Sequence, residues 1–76
     1  MTGQESRIEV IRQRIVSGAL PRPRAVVVYA GYSRGRVCDG CGDRIEPGQM
    51  EHELPGPVGP VFMHAECFRL WQTIEV

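Results

Sequence analysis

All three cysteines and both histidines of the 76-residue chain fall between Cys38 and Cys67, in the run CDGCGDRIEPGQMEHELPGPVGPVFMHAEC. Three thiols and two imidazoles gathered this closely offer a metal centre, a redox pair, or a nucleophile with its base. Spacing separates the options. Cys38 and Cys41 form a Cys-x2-Cys pair, 22 residues follow, and His64 and Cys67 form a His-x2-Cys pair. A Cys-x2-Cys on a glycine-rich turn lets both sulfurs converge on one ion about 2.3 Å away. Gly40 and Gly42 supply the positions where such a turn is expected to need positive φ. His64 and Cys67 fall at i and i+3 on the first turn of an expected helix, and so on one side of it. Three thiolates and an imidazole close a tetrahedron, and the free N–H groups at that helix start favour the resulting negative site. The donor set suits one structural Zn²⁺ per chain, held by Cys38, Cys41, His64 and Cys67.

The rival chemistries fit less well. A thioredoxin-like redox pair needs a βαβ setting with the motif opening a helix, and nothing of that kind surrounds Cys38. A Cys-His nucleophile needs a free base and an open position, which a closed four-ligand site denies it. Cysteines serving only as small core residues would leave so short a chain without a staple. No general acid, base or nucleophile stands out beyond the ligands, so the expectation is a binding protein rather than an enzyme. His52 reads as a strand histidine, partly buried beside Met50 and Leu54, and not as a fifth ligand. Trp71 and Phe68 read as core packed over the metal site.

The elements that must position these groups are short. Thr2 and Glu5 have the spacing of a capping box, with Ser6 as an alternative cap, and Gly18 ends the helix they start. Ile8, Ile11 and Ile15 recur along it at i, i+3 and i+7. LPRPR then breaks regular structure at Pro21 and Pro23. Ala25–Tyr29, the β-branched run AVVVY, is expected to be a strand and residues 30–36 a loop. Met50, His52 and Leu54 alternate with polar neighbours as on a strand with one wet face. Residues 55–60, PGPVGP, are a loop, VFMH a returning strand, and Cys67, Leu70, Trp71 and Ile74 one stripe of a last helix that ends near Glu75. The expected fold is α+β: an N-terminal amphipathic helix with the start of a linker over residues 1–20, then a metal-binding domain over 21–76, packed as one structural unit.

Size makes a staple necessary. A domain of this length buries only about 60% of the surface its unfolded chain exposes. Net charge is zero, but residues 1–37 carry seven arginines against Glu5 and Glu9, a net of +5, and residues 38–76 carry two arginines against seven acids, a net of −5. No apolar run of 18 or more residues suggests a membrane span, and no signal-like run precedes the cysteines. An odd number of thiols also speaks against a disulfide framework, so the expected setting is the cytoplasm.

The order of zinc knuckle, hairpin and ligand-bearing helix resembles a treble-clef zinc finger, and Cys-x2-Cys…His-x2-Cys resembles the first finger of a LIM domain. SGALP, AGYSRGRVCDGCGDRI and FMHAECFRLW resemble phrases of short single-finger bacterial proteins of unassigned function. The resemblance implies ligation at Cys38, Cys41, His64 and Cys67 and implies no activity. No second finger follows Cys67, so the two-zinc packing and peptide groove of LIM domains are not implied. Two partners are expected in turn. One is a protein, including a second copy met through the Ile8, Ile11 and Ile15 stripe if that stripe does not instead close the core. The other is a nucleic acid met through Arg22, Arg24, Arg34 and Arg36, with Tyr29 and Tyr32 as stacking partners.

Overall fold

The computed structural model describes residues 3–75, and it runs α1 (Gly3–Val16), β1 (Tyr29–Tyr32), β2 (Met50–Pro55), β3 (Pro60–His64) and α2 (Ala65–Thr73). Thr2, the expected cap of α1, lies outside the described residues, and Ser6 stands inside the helix rather than at its start. The helix stops where expected. Gly18 takes φ +89°, and the N–H groups of Ala19 and Leu20 both reach back to the carbonyl of Arg14. A left-handed glycine just past the last turn satisfies the helix's free carbonyls without a Cβ penalty.

The isoleucine stripe closes the core. Ile11 and Ile15 are buried, Ile8 packs against the same cluster, and Leu54, Met63, Leu70 and Trp71 complete it. That face of α1 is therefore covered by its own chain. LPRPR does not hang free between two parts either: Leu20 is buried, and the Trp71 indole N–H donates to the Pro21 carbonyl at 2.8 Å. The tryptophan thus satisfies its one polar atom while its ring fills the centre. No helix of the described residues is long and apolar enough to cross a membrane.

The three strands form one antiparallel sheet in the order β1-β2-β3. Here one expectation fails. Ala25–Val28 is extended but pairs with nothing, and the ladder begins only at Tyr29, opposite Glu53. Continuing the register would set Val27 against Pro55, which has no N–H to give, and β2 ends there. Val26 and Val28 still turn inward against the core, and Val27 points out with 67% of its surface exposed. The valine run keeps the two-residue period of a strand without a neighbour to pair with.

At its other end the sheet passes into α2 without a connecting loop, since His64 is both the last residue of β3 and the residue that caps the helix. His52 on β2 stacks face to face on Phe68 of α2 at 4.8 Å, and Phe68 stacks on Trp71 at 5.7 Å. This short aromatic column fixes α2 on the sheet. Replacing Trp71 with alanine removes one end of the column and empties the centre of the core, and is expected to destabilise the protein by about 3 to 5 kcal/mol in denaturant unfolding, the usual cost for a large buried aromatic.

Candidate metal centre

Cys38 and Cys41 lie on a tight turn closed by an isolated bridge between Val37 and Arg44. Within it the Cys38 N–H donates to Asp43 O at 2.8 Å and the Gly42 N–H to Cys38 O at 2.9 Å. Gly42 has φ +88°, as such a turn requires, but Gly40 does not share it. Gly40 is needed for space instead: a Cβ there would lie 3.1 Å from Met63 Sδ and 3.2 Å from Cys67 Cβ. The second pair also differs in detail from expectation. His64 has φ −53° and ψ 149°, so it precedes the first turn of α2 rather than belonging to it, and Cys67 alone of the pair is helical.

The four side chains converge. The sulfurs of Cys38, Cys41 and Cys67 and a ring nitrogen of His64 all lie within 4.8 Å of one another, with Cys38 and Cys67 fully buried. His64 Nδ1 is 3.5 Å from Cys41 Sγ and 3.7 Å from Cys67 Sγ. A tetrahedral ion with thiolate at about 2.3 Å and imidazole at about 2.0–2.1 Å would set sulfur and nitrogen about 3.6 Å apart. His64 Nδ1 stands at that distance from two of the sulfurs, and the four donor atoms are close enough together for the group to hold one metal ion. His52 is outside it.

Two features prepare the donors. His64 Nε2 lies 3.1 Å from the carbonyl of Arg44, which can only accept, so Nε2 carries the proton and Nδ1 turns a lone pair to the sulfurs. Cys38 Sγ receives the N–H groups of Gly40 at 3.3 Å, His64 at 3.4 Å and Cys41 at 3.5 Å. A hydrogen bond from the Cys67 thiol, together with these backbone groups, outweighs burial and brings the Cys38 thiol down to about 4. Donating that bond, and then burial, push Cys67 above its ordinary value, and burial foremost raises Cys41. These bonds favour the thiolate at Cys38, and a bound ion would require Cys41 and Cys67 to give up their protons as well.

Sequence reasoning missed the groups that hold the two halves of the site together. Asp39 grips Phe62 of β3 twice: its N–H donates to Phe62 O, and its carboxylate accepts the Phe62 N–H, each at 2.8 Å. From α1, Arg14 donates to Asp39 O at 3.3 Å, beside the first ligand pair, and Arg7 pairs with Glu66 at 2.8 Å, beside the second. Ser33 is buried, donates to Ile45 O and accepts from Gly35 N–H, which shapes the loop leading to Cys38. A short polar residue between two knuckle cysteines was the visible sign of Asp39. Its partner, 23 residues away, left none.

No family model matches the chain, and no curated protein or solved structure matches it.

The geometry separates the two histidines and gives Asp39 a test. His64→Ala is expected to cost most of the metal affinity in a chelator competition, whereas His52→Ala keeps full metal stoichiometry and loses only the stack on Phe68. Asp39→Ala leaves the Phe62 N–H without its acceptor and is expected to lower unfolding stability by about 1 to 3 kcal/mol. Asp39→Asn, which keeps an acceptor oxygen, should recover most of that loss.

Proposed function

We propose that the protein is a zinc-stabilised binding module whose ion is structural and whose partner is another protein. The observation that carries the reading is the convergence of Cys38, Cys41, His64 and Cys67 from two distant segments into one four-donor group. Three sulfurs and one imidazole gathered within 4.8 Å suit Zn²⁺ above the other common divalent ions. The order of turn, hairpin and helix around the donors supports a treble-clef reading. Four protein donors leave no coordination position for a substrate, which favours binding over catalysis. Three unpaired thiols support a reducing compartment such as the cytoplasm.

A second reading, nucleic-acid binding, is favoured by the exposure of Arg22, Arg24 and Arg34. Arg36, the fourth candidate, is engaged elsewhere: it pairs with Glu51 at 3.3 Å and lies over the Phe62 ring at 3.8 Å. Three arginines spread over 13 residues form a thin phosphate-binding stripe, and the acidic second half of the chain opposes it.

Native mass spectrometry is expected to show one zinc per chain, and a chelator to abolish the tertiary near-ultraviolet signal. Structural zinc contributes roughly 10 to 16 kcal/mol in comparable small domains, more than a core of this size supplies alone. Cys38→Ser and Cys67→Ser variants that fold normally with full zinc would overturn the assignment. Labelled single-stranded oligonucleotides are expected to bind weakly at low salt and to be released by about 150 mM, where screening reaches about 8 Å. Sub-micromolar binding there would promote the second reading over the first.

A further inference from the structure

The two edges of the sheet are not alike. On the β3 side, the outward N–H and C=O of Phe62 are both taken by Asp39, and the His64 N–H is turned onto Cys38 Sγ. The knuckle seals that edge. On the β1 side nothing among the described residues does so. The Ser33 N–H donates to Gln49 O, which sets the alternation of the ladder: Gly31 and Tyr29 exchange bonds with Glu51 and Glu53, while the N–H and C=O groups of Ala30 and Tyr32 face away from β2. All four residues of β1 are exposed, Tyr29 and Tyr32 by 66% and 74%. An edge strand of this kind, without charge or proline, is a template for a further strand.

The surroundings say what kind of strand. Arg7, Arg12, Arg36, Arg44 and Arg69 pair with carboxylates of the same chain and Arg14 with a carbonyl. Among the described residues, Arg22, Arg24 and Arg34 have no such partner; they are exposed and flank β1 in the sequence. Beside Tyr29, at the end of the sheet, lies a largely apolar hollow of about 360 Å³ lined by Leu54, Pro55, Gly56 and Pro60. Gly56 also borders a second hollow, of about 260 Å³, whose walls include Arg22 and Arg24. Open backbone, a largely apolar recess and the guanidinium groups of Arg22 and Arg24 are thus linked through Tyr29 and Gly56.

We propose that the outer edge of β1 docks an extended acidic segment of another protein. The segment adds to the sheet as a fourth strand, seats an apolar side chain in the hollow beside Tyr29, and sets carboxylates against Arg22, Arg24 and Arg34. This rests on the reading of the domain as a protein-binding module and names the surface and the chemistry of its partner. A nucleic acid fits the same margin less well. Tyr29 and Tyr32 are three residues apart on a strand and so lie on opposite faces of the sheet, where one strand of bases cannot stack on both.

The test is selection of a phage-displayed library of random dodecapeptides on the zinc-loaded full chain, with zinc stoichiometry checked on the same preparation. Enriched peptides are expected to carry two or more Asp or Glu residues around an alternating apolar core. Their affinity should fall at least ten-fold with Ala30→Pro, which removes an outward N–H that an edge strand can spare, and at least ten-fold with Arg22→Glu, Arg24→Glu and Arg34→Glu combined. Amide exchange at Ala30 and Tyr32 should slow on binding by a similar factor, a readout that needs no variant to fold. Peptides without acidic bias, or binding indifferent to Ala30→Pro and to the arginine changes, would overturn the site while leaving a protein-binding function intact. No enrichment on folded, zinc-bearing protein would overturn both readings. Preferential capture of a dodecathymidylate probe, or a dimer that Ala30→Pro abolishes, would hand the edge to nucleic acid or to a second copy of the chain.

Discussion

The Cys38 sulfur is fully buried, with N–H groups of its own turn at 3.3 and 3.5 Å and one from the end of the sheet at 3.4 Å. These bonds favour the thiolate, and a buried thiolate needs compensation that so small a core cannot provide by packing alone. The knuckle must therefore lie against β3, and the double grip of Asp39 on Phe62 fixes the height at which it does so. Gly40 must lack a side chain so that Met63 and Cys67 can close over it. Helix α1 completes the arrangement from outside, its isoleucines in the core and its arginines reaching one to each half of the donor group.

The donor atoms lie between the knuckle, the start of α2 and the adjoining sheet, with Cys38 and Cys67 fully buried and Cys41 and His64 partly so. At the margin opposite the knuckle, β1 has no paired strand beyond it among the described residues. Exposed ion pairs elsewhere, such as Arg12 with Glu9, contribute little to stability and use up charge that would otherwise recruit polyanions without selectivity.

What could be read in the sequence was what depends on period and spacing. The Cys-x2-Cys pair and the stripe of α2 are local patterns and appear in their expected elements, whereas His64 precedes the helix that carries Cys67, and Met50, on the expected dry face of β2, is exposed. Strand β1 was misplaced by a few residues because β-branched composition reports fitness for a pleated surface, not the presence of a partner. Val27 has the better propensity, but Pro55 cannot pair with it; Ala30 and Gly31 have poor propensity, but His52 and Glu51 stand opposite them. The Asp39–Phe62 grip, the Trp71–Pro21 bond and the anchoring of Leu20 are contacts between segments far apart in the chain, and single-residue chemistry does not announce them.

The sealed edge has a bearing on solubility as well as on recognition. A sheet with two open margins can accept a neighbour on each side, and every addition exposes a fresh margin, which is the geometry of a growing fibre. With the knuckle bonded along β3, this sheet has a valence of one. The meeting of two identical chains through β1 would therefore close as a pair with both outer margins already capped. The turn that gathers the donors also serves as a terminator for strand-by-strand polymerisation, and losing its grip on Phe62 would convert a self-limiting surface into one that can propagate.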